Sequence, residues 1–142
     1  MSGFLLDTNI PSEIIRTCPD PKVNAWVLSQ NDATLYLSVV TIGELRKGLT
    51  ILPESNRRSQ LQEWLDNDLL PLFTGRILPV TQAIADRWGI LSGRRQMAGR
   101  PLSMADGLIA ATALEHGLVL VTRNARDCEQ LGVTILNPWE SL

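Results

Sequence analysis

Short apolar runs alternate with longer amphipathic stretches along this chain, and no other feature restricts its fold as strongly. The stretches between the runs have the periodicity of helices. Strands that are separated by helices favour a parallel sheet with helices on both faces. We therefore predict an α/β fold, a three-layer α/β/α domain around a central, mostly parallel sheet. The predicted strands lie at 4–6, 34–38, 76–80, 118–121 and 133–136.

Signals for helix ends divide the rest of the chain. Asp20 followed by Pro21 predicts a helix start, because a capping side chain and a proline in the first helical position both favour one. Gly117 predicts a helix end, since glycine readily adopts the left-handed conformation found there. The predicted helices cover about 8–16, 21 to at least 27, 40–52, 54–70, 81–97 and 103–115, with a short one from 124.

The composition is that of an ordinary globular protein and excludes several classes. With 142 residues, 44% of them hydrophobic, we predict one domain over 1–142. The net charge of −2 excludes a generally basic nucleic-acid-binding protein but not a local basic patch. The two cysteines form no disulfide framework or zinc spacing, and His116 is the single histidine. Without a membrane-length apolar run or a secretory signal, we expect a cytoplasmic protein with no membrane partner.

Three acidic residues stand where ligands are expected. Asp7 directly follows the first predicted strand, Glu44 follows the second, and Asp106 lies near the start of the last long helix. The carboxyl ends of parallel strands meet at one edge of a sheet, and ligands bind beyond that edge. Glu44 and Asp106 also lie among apolar or small residues, where an unpaired charge is costly. We therefore predict that the three carboxylates converge in one cleft.

Each of these acids also has a purely structural interpretation. Thr41-x-x-Glu44 and Ser103-x-x-Asp106 both fit the capping box, in which the acid bonds back to the residue that begins the helix. Asp7 is equally suited to cap the helix after it. The sequence leaves both interpretations open, and their geometries do not exclude each other.

A cluster of carboxylates indicates a divalent cation. Like charges in one cleft repel each other unless a cation or a shared proton relieves them. Oxygen ligands without nearby histidine or cysteine favour Mg²⁺ or Mn²⁺ over zinc. A bound divalent cation lowers the pKa of its water and stabilises charge on a phosphoryl oxygen. The pattern therefore indicates phosphate chemistry, in which a metal-activated water attacks phosphorus in line.

A fourth polar segment follows the predicted strand at 118–121. Thr122 and Asn124 offer neutral oxygens, and Asp127 offers a charged one. This strand ends at the same edge of the sheet, so these side chains are candidates for the same cleft. The alternative is that Asn124 caps a short helix and Asp127 is the acid of its first turn.

The residues around these positions resemble the motifs of one family. LLDTN at 5–9 resembles the opening motif of PIN-domain ribonucleases, and S-x-x-TIGELRKG at 38–48 resembles their second motif. S-x-x-DG-x-IAA-x-A at 103–113 and VTRN at 121–124 resemble the third and fourth. NPW at 137–139 is similar to the FitB-like branch of the VapC toxins within that family.

The resemblance implies a PIN-like fold, a reaction and partners. It implies cleavage of RNA with Mg²⁺ or Mn²⁺, with Asp7, Glu44 and Asp106 as the catalytic and metal-binding residues. Many relatives have a fourth acid where this chain has Asn124, so the fourth ligand is either the amide oxygen of Asn124 or the carboxylate of Asp127. The resemblance also implies a type II toxin that forms a homodimer and is inhibited by a VapB-like antitoxin.

Hydroxyl and amide side chains beside the acids are expected to orient them. Thr8, Asn9 and Thr122 are adjacent in sequence to candidate ligands, and hydrogen-bonding neighbours of this kind hold metal ligands and water in place. Apolar residues around 11–15 and 64–70 offer a surface to an amphipathic segment of an antitoxin, unless they serve only the core.

Arginine dominates the cations of this chain, with eleven arginines and two lysines. The planar guanidinium suits bidentate recognition of phosphate. We predict that Arg123, Arg46 and Arg95 contact RNA, with a solvated, salt-bridged surface as the alternative.

Two other functions remain open from the sequence. A phosphoacceptor receiver-like domain also gathers acids at the edge of a parallel sheet, although it usually has adjacent early acids and a lysine near the site. A catalytically weak, RNA-binding or partner-binding PIN relative is the second alternative, because Asn124 replaces an acid.

Overall fold

The computed structural model of the protein describes residues 2–128 and 130–140, and its centre is a five-stranded sheet. All four strand pairings are parallel, in the order β3-β2-β1-β4-β5. The first strand along the chain is therefore central, and strands are added on both sides of it. The strands are β1 (Phe4–Leu6), β2 (Leu35–Ser38), β3 (Ile77–Leu78), β4 (Val119–Val121) and β5 (Ile135–Leu136).

Helices fill every connection except the one from β4 to β5, where a 3₁₀ turn stands at Ala125–Cys128. Asp20 caps its helix by accepting a hydrogen bond from the backbone N–H of Lys22, as predicted. Gly117 ends its helix with a φ of 64°, also as predicted. The helices are α1 (Asn9–Ile14), α2 (Pro21–Ser29), α3 (Val39–Thr50), α4 (Asn56–Glu63), α5 (Leu70–Leu72), α6 (Gln82–Met97) and α7 (Met104–His116).

The predicted single helix over 54–70 is interrupted. A π-helical turn at Trp64–Leu69 joins α4 to α5 and fits an additional residue into the helical turn. Leu65 and Leu69 are both buried in this turn, which therefore adds to the core where α4 contributes only the half-buried Leu61. The helix expected from 124 is only the 3₁₀ turn at Ala125–Cys128.

Successive strand residues point to opposite faces of the sheet, and each face carries its own core. Leu5 and Leu120 pack into the core beneath α6 and α7, whereas Leu6 and Val121 pack into the core beneath α1, α2 and the π-helical turn. The architecture is therefore three layers with a parallel sheet in the middle, which confirms the predicted fold class. No helix in 2–128 or 130–140 is both long and apolar enough to cross a bilayer.

Candidate active site

Asp7 is the first residue after the central strand, and the sheet itself fixes its backbone. Its N–H donates to the carbonyl oxygen of Val121 at 2.9 Å, which extends the β1–β4 pairing by one residue. Thr122 likewise follows β4, and its N–H donates to the carbonyl oxygen of Leu136 at 3.0 Å. Asp7 and Thr122 are thus neighbours at the carboxyl edge of adjacent parallel strands.

The carboxylate of Asp7 is buried, with 6% of the residue exposed. The Oδ1 atom accepts a hydrogen bond from the N–H of Thr8 at 2.8 Å, and Oδ2 accepts one from the hydroxyl of Thr122 at 2.7 Å. The amide Nδ2 of Asn9 lies 3.5 Å from the same Oδ2. These donors fix the orientation of a carboxylate that water scarcely reaches.

Burial raises the pKa of Asp7 above its ordinary value of 3.8. Hydrogen bonds from Thr122 and Thr8 favour the ionised form and lower that pKa, while the negative charges of Asp106 and Glu44 raise it further. The net direction is upward, because desolvation is the largest of these effects. The charges of Asp106 and Glu44 therefore act on Asp7.

The hydroxyl of Thr122 organises the end of β4. Thr122 is fully buried, and its Oγ1 donates to Asp7. The same oxygen accepts hydrogen bonds from the backbone N–H of Asn124 at 3.0 Å and from Nδ2 of Asn9 at 3.3 Å. The hydroxyl thus donates one hydrogen bond and accepts two, which is its full capacity. Thr122 and Asn9 thus both contact the carboxylate of Asp7.

Glu44 lies in α3, and its carboxylate is bound by Thr8, the residue that precedes α1. The hydroxyl of Thr8 donates to Oε1 of Glu44 at 2.5 Å and lies 3.1 Å from the hydroxyl of buried Thr41. Because Thr8 gives its only hydrogen to the carboxylate, Thr41 donates to Thr8. Ser38 caps α3 through the N–H of Val40, so the capping-box interpretation of Thr41 and Glu44 is wrong.

Asp106 lies in the first turn of α7. The hydroxyl of Ser103 accepts a hydrogen bond from the N–H of Asp106 at 3.2 Å, so the capping interpretation holds for the backbone of this residue. The Asp106 side chain is half-buried and carries no hydrogen bond within residues 2–128 and 130–140. Its carboxylate is thus available to a ligand, while Ser103 fixes the helix start that presents it.

These acids share a neighbourhood but do not form a closed cage. In the described parts of the chain, no three side chains of Asp, Glu, His or Cys stand close enough together to hold one metal ion. Like charges repel each other, so a cation would favour a closer approach of these carboxylates. The donor set nevertheless fits Mg²⁺ or Mn²⁺, because it consists of carboxylate oxygens around a buried charge. The shared metal site therefore stays a prediction.

The fourth segment provides backbone contacts and exposed side chains. Asn124 and Asp127 are both exposed, and the N–H of Asp127 donates to the carbonyl oxygen of Asn124 at 3.1 Å. The sequence did not single out Cys128, which is buried beside the site. Burial raises the pKa of its thiol to about 12, with further contributions from the charges of Asp7 and Asp106. In the sequence, the only sign that Cys128 lies near the acids is that it follows the fourth motif by a few residues.

The three arginines predicted to contact RNA differ in their surroundings. Arg46 forms a salt bridge with Asp66, and Arg95 donates to the backbone carbonyl oxygens of Arg100 and Asp127, each at 2.9 Å. Arg123 is exposed at the carboxyl end of β4. The structure therefore engages Arg46 and Arg95 within the protein and leaves Arg123 the most accessible of the three.

Two cavities lie where the sequence offers apolar residues to a partner. A cavity of about 260 Å³ begins at Thr8 and Glu44 and continues between α1, α3 and α4. A second cavity of about 180 Å³ is lined by Pro11, Ile14 and Trp64 together with core residues. The first cavity is continuous with the acidic edge of the sheet, so a segment bound in this cavity would also lie beside the acids.

Comparison with known proteins gives full-length matches. The sequence pattern of the PIN domain matches residues 4–131. The VapC ribonuclease Y4jK of Sinorhizobium fredii is 40% identical over 137 residues, which are 96% of this chain and 98% of that protein. The toxin FitB of Neisseria gonorrhoeae is 38% identical over 136 residues, again 96% and 98% of the two chains.

Solved structures give the same result. A chain of FitAB bound to an IR36 DNA fragment has a TM-score of 0.92 and 35% identity, and the match covers 98% of this chain and 97% of that one. FitAcB from Neisseria gonorrhoeae has a TM-score of 0.91 and 38% identity, covering 97% and 99%. The receiver-like alternative is therefore set aside. The chain belongs to the PIN-domain family, in the branch that contains the VapC and FitB toxins.

Proposed function

We propose that the protein is a metal-dependent endoribonuclease, a single PIN-like domain over residues 1–142 that acts as the toxin of a type II toxin–antitoxin pair. The observation that carries this proposal is the buried carboxylate of Asp7 at the carboxyl edge of a parallel sheet. The negative charges of Asp106 and Glu44 raise the pKa of this carboxylate. A buried charge beside two others is stabilised by a cation, and oxygen ligands favour Mg²⁺ or Mn²⁺.

The names of the relatives support the assignment of RNA as the substrate and of an antitoxin as the partner. One relative is named a VapC ribonuclease and another the FitB toxin, and a similar solved structure is FitAB bound to an IR36 DNA fragment. By extension, RNA is the substrate here, and a VapB-like antitoxin inhibits a homodimeric toxin in the cytoplasm. The cavity that begins at Thr8 and Glu44 offers an apolar surface to such an antitoxin beside the acids.

Asp7, Asp106 and Glu44 would hold the cation. When bound, Mg²⁺ or Mn²⁺ supplies positive charge to the phosphoryl oxygens and acidifies a water molecule at neutral pH. Asn124 adds a neutral amide oxygen to this set without adding charge, and the exposed carboxylate of Asp127 is the alternative fourth ligand.

The protein's own contribution is to fix the acids before substrate arrives. Thr8 connects two of them, because its N–H binds Asp7 while its hydroxyl binds Glu44. Thr122 and Asn9 hold the other oxygen of Asp7. Carboxylates that are oriented in advance lose less conformational freedom when they engage a ligand, so this hydrogen-bond network lowers the cost of assembling the site.

Arginines around this edge would bind the RNA backbone. Arg123 directly follows Thr122 and is exposed, whereas Arg46 and Arg95 have to leave Asp66 and backbone carbonyls to reach a phosphate. We therefore assign the main contact to Arg123 and secondary contacts to the other two. Binding through phosphates should weaken as the salt concentration rises.

The direct test is RNA cleavage by purified protein with Mg²⁺ or Mn²⁺. Cleavage should stop with EDTA and should fall about 100-fold or more in Asp7→Asn and in Asp106→Asn, since metal stabilisation of charge supplies several kcal/mol. Asp86→Asn is the matched control, because Asp86 is an exposed acid on α6. Full activity of either site variant would refute the metal mechanism.

Growth experiments test the biological assignment separately. Induced expression of the wild-type chain should arrest growth, and co-expression of the neighbouring reading frame should relieve the arrest. Asp7→Asn should not arrest growth. Binding of RNA without cleavage or growth arrest would instead support a catalytically weak PIN relative.

A further inference from the structure

Although Arg123 is exposed, side chains of the protein bind its backbone on both sides. Its N–H donates to Oδ1 of Asn9 at 3.4 Å, and its carbonyl oxygen accepts from Nδ2 of Asn137 at 3.5 Å. Asn9 also approaches Asp7 and Thr122, so the backbone of Arg123 is connected to the acidic edge by side-chain hydrogen bonds. The backbone of Arg123 is therefore anchored close to Asp7.

The guanidinium of Arg123 lies over the indole ring of Trp139, with its central carbon 5.3 Å from the ring centroid. Trp139 is itself anchored, because its N–H donates to Oδ1 of Asn137 at 3.0 Å and its carbonyl oxygen accepts from Nζ of Lys22 at 3.2 Å. The ring also packs against the core beneath α1 and α2. A fixed aromatic ring thus supports a cation beside the acids.

This arrangement differs from the other arginines near the site. Arg46 is neutralised by Asp66, and the guanidinium of Arg95 is used by two backbone carbonyls. In residues 2–128 and 130–140, no carboxylate pairs with Arg123. A guanidinium that rests on an aromatic ring presents a flat cationic surface, and bases of single-stranded RNA stack on aromatic rings and guanidinium planes.

We propose that Arg123 and Trp139 form a platform on which a nucleobase of single-stranded RNA stacks, next to the phosphate at the proposed metal site. The inference rests on the proposed ribonuclease function and assigns to this site a contact with a base. Purines should bind better than pyrimidines, because a larger ring overlaps more of the platform.

The test measures binding without cleavage. Fluorescence anisotropy in EDTA would compare a labelled adenosine oligoribonucleotide with the same oligonucleotide whose central bases are replaced by abasic spacers. Both probes carry the same backbone charge, so the ratio of their dissociation constants isolates the contribution of the bases. Wild-type protein should prefer the intact probe.

Arg123→Lys keeps the charge and removes the planar group. This variant should lower the preference for the intact probe about fivefold or more, the effect of losing one stacked base, because a weaker phosphate contact would reduce the affinity for both probes alike. Trp139→Phe should lower the same preference, because a smaller ring supports less of the guanidinium. Arg126→Lys, an exposed arginine of the same segment, is the control and should match wild type.

Two results would overturn the platform. An unchanged preference in Arg123→Lys would show that no base stacks there, and an equal loss of affinity for both probes would show that Arg123 contacts only phosphate. Neither result affects the proposed ribonuclease activity, which depends on RNA cleavage by wild-type protein. If wild-type protein neither binds nor cleaves RNA, both the platform and the proposed ribonuclease function are refuted.

Discussion

Replacing Gly107 by alanine should force α7, which carries Asp106, away from α6. A Cβ atom at residue 107 would lie 2.7 Å from Cδ1 and 2.9 Å from Nε1 of Trp88. Favourable contacts between carbon atoms lie at about 3.5–4.0 Å, so the added methyl group overlaps the indole ring. The ring is rigid and its Nε1 is buried, so the helix pair has to absorb the overlap. Asp106, the preceding residue, moves with it.

The magnitude follows from two opposing contributions to the free energy of unfolding. Alanine in place of glycine inside a helix adds about 0.8–1.0 kcal/mol, whereas overpacking typically costs about 1–3 kcal/mol. Gly89 in α6 has no atom within 4 Å of an added Cβ, so Gly89→Ala should show only the gain. The free energy of unfolding of Gly107→Ala should therefore lie about 1–3 kcal/mol below that of Gly89→Ala.

Urea unfolding of both variants and wild type measures this difference, provided that the dependence on urea concentration is the same for all three. RNA cleavage should also fall in Gly107→Ala and not in Gly89→Ala, because only the first substitution displaces Asp106. Equal stabilisation of the two variants, or full activity of Gly107→Ala, would refute the argument that Trp88 and Gly107 set the position of Asp106.

Three further predictions concern the acids and the thiols. Thr8→Val should lower RNA cleavage by removing the hydroxyl donor to Glu44, and Thr8→Ser should restore it. Because burial raises the pKa of Asp7 above 3.8, its ionisation opposes folding: metal-free wild type should lose the stability contributed by protonated Asp7 as the pH rises above that value. Urea unfolding at each pH should show that Asp7→Asn lacks this contribution to the pH dependence of the free energy of unfolding. A thiol reagent near pH 8 should label exposed Cys18 alone in native protein, since Cys128 is buried with a pKa of about 12, and both cysteines in urea.

The sheet and the location of the acids could be predicted because both follow from local patterns. Apolar runs of strand length mark the strands, and the carboxyl-edge rule then places Asp7 and Thr122 side by side without knowledge of any contact. The predicted strand at 76–80 shortens to Ile77–Leu78. Pro79 follows directly and has no backbone N–H to donate to the neighbouring strand, so the pairing with β2 ends at Leu78.

The hydrogen bonds within the site could not be predicted, because local and distant partners compete for the same side chain. Thr8 directly precedes α1, yet its hydroxyl makes no capping bond and binds Glu44 across 36 positions of sequence instead. The contacts of Trp88 with Gly107 and of Trp139 with Arg123 are likewise set by how helices and the final segment pack. Sequence periodicity identifies an apolar face but not its partner.

The central claim is that Asp7, Glu44 and Asp106 share one divalent cation, and calorimetric titration of metal-free protein with Mn²⁺ tests it most directly. Wild type should bind Mn²⁺, and Asp7→Asn and Asp106→Asn should each weaken the affinity by about tenfold or more, with Asp86→Asn unchanged. Wild-type affinity in Asp106→Asn, or a weakening of the same size in Asp86→Asn, would contradict the claim.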